Sequence, residues 1–304
     1  MVKRMISRKK FLTTALTGIA GISIINKPLR ATSKTDSVLR KIGNTGISVT
    51  PVCFGAPRTN EESLLRYAID KGINFIDTGR SYANGNNERL VGSATKGTRE
   101  KVVIQSKIRL DPEELPSGGK GKKGADEIKY ALSSKLEACL KALNTDYINI
   151  LLYHDAQNEN LLFHPETLKF FSDMKQSGVI KASGFSTHND HIDLISRNNI
   201  EKLYDVIMVP FNHKGSFIHS VNGRYSEWDQ DKLITNLEIA WEKGIGIIAM
   251  KTCSAGPYSP SPDIDPSYME AVKWVLNKKY ICSAAIAMAN FEEVDDHSIL
   301  LTDV

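Results

Sequence analysis

The chain of 304 residues (33.7 kDa) is 41% hydrophobic and 24% charged, with a formal net charge of +4. These proportions exclude disordered, collagen-like and disulfide-dense classes, and the length suffices for a full hydrophobic core. Part of the basic excess sits in the first ten residues (Lys3, Arg4, Arg8, Lys9, Lys10), leaving no basic stripe for nucleic acid, and nothing after residue 30 is apolar for long enough to span a bilayer.

Residues 1–30 read as a leader. A basic start precedes an apolar run from Phe11 to Ile25, which has the length of a signal segment. Ser7-Arg8-Lys9-Lys10-Phe11-Leu12 resembles a twin-arginine export motif with lysine in place of the second arginine. The expectation is export to the periplasm or cell exterior; the alternatives are an uncleaved anchor, which would be the sole membrane contact, and a cytoplasmic protein. The four cysteines, Cys53, Cys139, Cys253 and Cys282, form no CxxC pair, so no disulfide framework or zinc site is legible.

Residues 38–304 form the second expected unit. Val38–Val49 carries Gly43-Asn44-Thr45-Gly46 between apolar flanks, a hairpin signal placed to plug the bottom of a barrel. Then one pattern repeats: a short apolar run, a loop, an amphipathic helix. The runs are Ile47–Phe54, Ile73–Asp77, Val102–Ser106, Tyr147–Tyr153, Val179–Phe185, Asp205–Phe211, Ile245–Met250 and Ile281–Ala287. Between them Leu64, Leu65, Ala68 and Ile69, and later Ile128, Leu132, Leu136, Leu140 and Leu143, lie on helical faces. Leu233, Leu237, Ala240 and Trp241, and Met269, Val272, Val275 and Leu276, do the same. Gly72, Gly178 and Gly244 each close a helix directly before a strand. The runs are continuous rather than alternating, as strands covered on both faces require. Eight such units predict an α/β fold, a (β/α)8 TIM barrel with an N-terminal β-hairpin. A doubly wound sheet is the alternative, but the first strand-to-helix turn, Cys53-Phe54-Gly55-Ala56-Pro57-Arg58, has no GxGxxG phosphate loop. The polar insertions Asp111–Gly124, with its lysine cluster, and Thr252–Asp265 both follow strands; the lysines read as a solvated loop.

On such a barrel the chemistry belongs at the C-terminal strand ends. Those ends carry Asp77, Lys107, His154, Ser186, Thr187, Asn212 and Lys251, and Tyr82 lies on the loop after Asp77. Each residue alone is commonplace; together they form an acid-base set. A buried Lys107 ammonium would favour the Tyr82 phenolate and so lower its pKa, and Asp77 would hold the lysine charged. Tyr82 would then protonate a carbonyl oxygen that His154 orients.

At this point the sequence resembles the aldo-keto reductase family. The likeness is carried by Ile73-Asn74-Phe75-Ile76-Asp77-Thr78-Gly79-Arg80-Ser81-Tyr82 with Gly85-Asn86-Asn87-Glu88-Arg89-Leu90-Val91-Gly92. It continues in Val102–Lys107, Asp146–Asp155 and Gly184–His188, and covers about residues 38 to 297. The likeness extends to bacterial members that bear a twin-arginine-type leader. The resemblance implies NAD(P)H-dependent reduction of aldehydes or ketones, with a small carbonyl or alcohol as substrate. It implies Asp77, Tyr82, Lys107 and His154 as the catalytic tetrad, with Tyr82 as proton donor. For the cofactor it implies Gly55 at the first strand end and Ser186 and Thr187 on the carboxamide. Phe211 would stack on the nicotinamide, Lys251 and Thr252 would meet the pyrophosphate, and Asn290 would contact the adenosine.

Three departures bear on function. Met208 replaces a frequent glutamine that bonds the carboxamide. Glu293, in the acidic segment Glu292–Asp296, replaces an arginine that faces a 2′-phosphate, which favours NADH over NADPH although either cofactor stays open. The chain ends at Val304, soon after the last barrel helix begins, so the site is expected to be open and substrate selection loose.

Two other functions compete. A non-catalytic nicotinamide-binding protein on the same barrel would keep the fold and the cofactor. A metallohydrolase would draw on Asp77, His154, Asp155, His213 and His219, but no HxH pair on the first strand supports it, and no metal is expected. His188-Asn189-Asp190-His191 reads as a helix start capped by Asn189 or Asp190. Tyr225 and Trp228 either line the substrate pocket or pack on the surface.

Overall fold

The computed structural model describes residues 38–189, 191–219, 223–253 and 267–302. The leader reading, and the capping reading of Asp190, lie outside them.

A short antiparallel hairpin comes first, β1 (Arg40–Lys41) against β2 (Ser48–Val49). The barrel strands then follow in sequence: β3 (Val52–Gly55), β4 (Phe75–Asp77), β5 (Val103–Ile108), β6 (Ile148–Tyr153), β7 (Ile180–Ser186) and β8 (Val206–Pro210). A second hairpin, β9 (Ser216–Ile218) with β10 (Tyr225–Glu227), leaves the rim after β8; it was not foreseen from sequence. The barrel closes through β11 (Gly246–Met250) and β12 (Ser283–Ala287), the latter parallel to β3. All eight expected strands are present, and the first expected run divides between β2 and β3.

Helices cover the outside. They are α1 (Glu62–Asp70), α2 (Asn86–Ala94), α3 (Gly121–Leu143), α4 (Glu159–Leu162), α5 (Pro165–Gln176), α6 (His191–Glu201), α7 (Gln230–Glu242), α8 (Tyr268–Leu276) and α9 (Phe291–Ser298). None of the helices among the described residues is long and apolar enough to cross a membrane. Gly72, Gly178 and Gly244 end their helices at positive φ, as expected. The expected lysine loop is shorter than foreseen. Helix α3 starts at Gly121, with exposed Lys122 and Lys123 in its first turn, and buried Gly124 packs so closely on the Gly119 backbone that a Cβ has no room.

Strand alternation splits the core in two. One cluster fills the barrel: Cys53, Phe75, Val103, Ile150, Leu152, Val206, Met208, Ile248, Met250 and their neighbours. Ile42, Ile47 and Val49 of the first hairpin belong to it, so the hairpin does plug the barrel floor. Asn44 N–H donates to the Gly244 carbonyl there, and a Cβ on Gly246 would meet Ile42 Cγ2 at 2.5 Å. The second cluster lies between strands and helices and includes Phe54, Ile76, Ile104, Leu132, Phe185, Phe211 and Val272. Each buried Leu, Ile or Phe contributes about 1.5–3 kcal/mol. Cys53, Cys139 and Cys282 are buried free thiols, and Cys253 is half-buried.

Candidate active site

Residues of the inward face of β4 and β5 meet at the barrel mouth. Asp77 ends β4, and Lys107 lies on β5 two positions beyond Gln105, the register partner of Asp77. Lys107 is 1% exposed and Asp77 3%. Nζ donates to Asp77 Oδ1 at 2.5 Å, to the Thr78 carbonyl at 2.8 Å and to the Tyr82 hydroxyl at 3.2 Å, so all three ammonium protons are used. The His154 ring meets the Tyr82 ring edge-on, with centroids 5.7 Å apart, and Ser81 Oγ lies 3.3 Å from His154 Nδ1. The tetrad thus converges from β4, the loop after it, β5 and the end of β6.

The electrostatics differ from expectation in one respect. Burial raises the Tyr82 phenol above its ordinary value of 10.0; Lys107 pulls it down and Asp77 pushes it up, and the balance stays upward. The expected acidic phenol is therefore corrected: desolvation outweighs the ammonium, and Tyr82 keeps its proton through neutral pH. Burial works against the Lys107 charge, but Asp77 and Tyr82 overcome it, and the ammonium is held above its usual range. Burial, with the positive charges of Lys107 and Arg109, pushes His154 down to about 3. A neutral imidazole offers one N–H and one lone pair.

The loop that carries Tyr82 is stapled from below. Ala83, Asn84 and Gly85 follow one another at positive φ (47°, 52° and 82°). Arg80 reaches under them: Nη1 pairs with Glu88 Oε2 at 2.6 Å and donates to the Ala138 carbonyl, and Nη2 donates to the Asn84 carbonyl at 3.4 Å. Glu88 is fully buried on α2 and also accepts from Ser106 Oγ at 2.6 Å. Sequence reasoning missed Arg80, Glu88 and Gln105. A buried-side-chain pattern flags the last, because Gln105 shares the inward face of β5 with Val103 and Lys107.

The residues expected around a cofactor separate into two groups. Gly55 is in register with Asp77, and a Cβ there would meet the β12 backbone at 3.0 Å. Ser186 Oγ accepts from Asp155 N–H at 3.1 Å, which leaves its own proton to donate. Lys251 is half-buried at a left-handed φ of 58°, with its ammonium 5.6 Å from the Phe217 ring centroid; among the described residues no carboxylate pairs with it. Burial lowers its pKa. Thr252 is buried beside it. The Thr187 hydroxyl is engaged instead with the Ala156 carbonyl at 2.9 Å, tying together the loops after β6 and β7.

Phe211 is a correction. It is fully buried, with its ring 5.3 Å from Trp274 and 5.9 Å from Tyr280, on the helix side of the barrel. Met208 and Phe211 are three residues apart, and an odd separation along a strand puts side chains on opposite faces. Met208 takes the inward face, so Phe211 cannot, and the inward side chain near this height is Met250.

Asn290 caps α9, accepting from Glu293 N–H at 2.8 Å. Glu293 folds back on the same terminus: its carboxylate accepts from Ala289 N–H at 2.7 Å and from Asn290 Nδ2 at 3.2 Å. A carboxylate already fills this helix end.

Around the rim, His188 stacks at 5.4 Å on His219 and lies 3.8 Å from Asp155, and burial pushes it down to about 4. Trp228 packs edge-on against His191, while Tyr225 is exposed on its hairpin. Asn212 braces the loop after β8 by donating to the Ser216 and Lys251 carbonyls. Among the described residues no group of three His, Cys, Asp or Glu side chains is arranged to hold a metal ion.

Comparison with known proteins bears on the family and the fold. Residues 55–296 match the Aldo/keto reductase family. The uncharacterized oxidoreductase YqkF of Bacillus subtilis (strain 168) is 28% identical over 173 residues, 53% of this chain and 53% of that protein, so the match spans about half its length. Aldo-keto reductase AMT2 of Alternaria alternata is 25% identical over 280 residues, covering 81% of this chain and 73% of its own. The fold is that of aldo-keto reductase AKR11C1 from Bacillus halodurans (holo form), with a TM-score of 0.67 at 19% identity over 88% of this chain and 92% of that one. An aldo/keto reductase from Klebsiella pneumoniae in complex with NADP and acetate superposes with a TM-score of 0.64 at 20% identity, over 87% and 90% of the two chains. With the closed parallel barrel, the tetrad at its mouth and a family match that runs from β3 into α9, the chain belongs to the aldo/keto reductase family.

Proposed function

We propose that the protein is an NAD(P)H-dependent oxidoreductase that reduces the carbonyl group of small aldehydes or ketones, and in reverse oxidises the alcohol. The observation that carries this reading is the Tyr82 hydroxyl, 3.2 Å from an ammonium that is itself locked to Asp77. The residues present suit a nicotinamide dinucleotide at its reactive end. Ser186 keeps a hydroxyl proton to donate, Met208 and Met250 give apolar surface, and Lys251 brings a cation without a carboxylate partner among the described residues. When bound, the reduced nicotinamide supplies a hydride. Tyr82 donates its proton to the carbonyl oxygen of the substrate, and Lys107 stabilises the phenolate that forms. Asp77 keeps Lys107 charged and in place. Neutral His154 donates a hydrogen bond that fixes the direction of the carbonyl.

The adenosine end supports NADH over NADPH. Glu293 holds a negative charge on the α9 terminus, where a 2′-phosphate would meet like charge. The relative from Klebsiella pneumoniae was solved with NADP. Parallel fluorescence titrations with NADH and NADPH, followed by turnover on an aldehyde and ketone panel, test both parts. Tight binding without turnover on any carbonyl would favour the non-catalytic alternative, and tighter NADPH binding would reverse the cofactor preference.

The division into a leader (1–30) and a barrel domain (38–304), and export through that leader, belong to the same proposal and rest on sequence. Cell fractionation with and without Arg8→Ala and Lys9→Ala tests export; full retention of the intact protein in the cytoplasm would reject it.

A further inference from the structure

Below the tetrad, Gln105 is wholly buried on the inward face of β5. Its Nε2 donates to Asp77 Oδ1 at 2.6 Å and lies 3.3 Å from Met208 Sδ. Asp77 Oδ1 therefore receives two donors, the Lys107 ammonium and the Gln105 amide. Gln105 Oε1 has no hydrogen-bond donor among the described residues. The inward side chains at this height, Cys53, Ile150, Met208 and Ile248, are apolar or nearly so. Methionine would fill the same volume and leave no buried acceptor unmatched, so packing does not account for an amide here.

We infer that Gln105 is a positioning residue of the reaction site, a neutral donor that holds the Asp77 carboxylate towards Lys107 and shares its charge. The consequence runs through one oxygen. An Asp77 carboxylate relieved by the amide pulls less on Lys107 Nζ, which keeps its third hydrogen bond, to Tyr82. Without the amide, Asp77 acts with its full charge on the ammonium, weakening its bond to Tyr82, and with its full charge on the phenol. Both changes make Tyr82 hold its proton more firmly. The effect on rate rests on the carbonyl-reductase reading; the effect on the phenol rests on the geometry alone.

The test is Gln105→Met, which is nearly isosteric and removes the donor. The alkaline limb of kcat for reduction should move up by about half a unit to one unit, with kcat down about tenfold. The tyrosinate absorbance of the cofactor-free protein, taken as the difference from the Tyr82→Phe protein, should show the same upward shift of the Tyr82 midpoint. Tm should change little, because the variant loses the bond to Asp77 and an unmatched acceptor together. An unmoved limb and midpoint with a lower Tm would make Gln105 a packing residue and overturn the inference. Should Gln105→Met not fold, Gln105→Glu serves: its protonated carboxyl donates to Asp77 as the amide does, so activity should match wild type in acid and fall as that carboxyl ionises. A pH-independent loss in Gln105→Glu would equally overturn it. If wild type turns over no carbonyl, the reductase reading fails while the tyrosinate titration still decides this one.

Discussion

The Arg80 guanidinium stands where a side chain at position 85 would have to be. A Cβ built on Gly85 would coincide with Arg80 Nη2, and Gly85 also has a φ of 82°. Arg80 in turn holds Glu88, which is buried on α2. The loop with Tyr82 thus keeps its shape because glycine leaves room for the cation beneath it.

Gly85→Ala should therefore cost more than an added methyl in a loop suggests, because Gly85 is buried against Arg80. The left-handed backbone alone costs about 1–3 kcal/mol, and Arg80 must move as well. Displacing Tyr82 by about 1 Å would lower kcat on the order of 100-fold. Thermal unfolding and steady-state kinetics of the variant read the two effects; unchanged values in both would refute the staple.

Tyr82→Phe should reduce kcat by about 10²–10⁴-fold, the range for loss of a general acid, and leave cofactor affinity nearly unchanged. A variant that keeps its full rate would remove Tyr82 from the proton-donor role.

Lys107→Met leaves Asp77 buried without its cation. Breaking a buried pair from one side costs about 3–5 kcal/mol of stability, so the single variant should lose more than the double variant Lys107→Met with Asp77→Asn. Denaturant unfolding of both proteins checks the order.

His154 and His188 are held in the folded protein at about 3 and about 4, below the ordinary 6.5. Their stabilising contribution is therefore complete above pH 6.5, where both states are neutral. It is lost as pH falls, because the unfolded chain takes up protons that the folded one refuses. Tm should drop between pH 6.5 and 4, and His188→Asn should flatten that slope. His154 should add no acidic limb to kcat above about pH 4, since its ring stays neutral there.

Glu293→Ser should improve NADPH affinity relative to NADH by about 1 kcal/mol or more, because it removes a charge that repels a 2′-phosphate. Paired titrations of the variant measure the ratio; a ratio equal to wild type would dissociate Glu293 from cofactor choice.

The barrel and the tetrad were legible in the sequence because both are written locally. Eight β-branched runs, each followed by a helical face, carry their own periodicity, and strand ends can be read off them. Asp77, Lys107 and His154 stand at such ends, so their meeting follows from topology. What tertiary structure alone decided concerns surroundings. Whether Tyr82 is acidic depends on burial competing with Lys107, and burial wins. The Thr187 hydroxyl and the Glu293 carboxylate have already found partners in loops and a helix end, which no spacing announces. Gln105 looks like one more strand residue until packing sets its amide on Asp77. Phe211 lies between these cases: the two-residue period excludes it from the inner face once Met208 is placed there, but only the folded barrel places Met208. Backbone periodicity is a property of neighbours in sequence, whereas desolvation and hydrogen-bond ownership are set by neighbours in space.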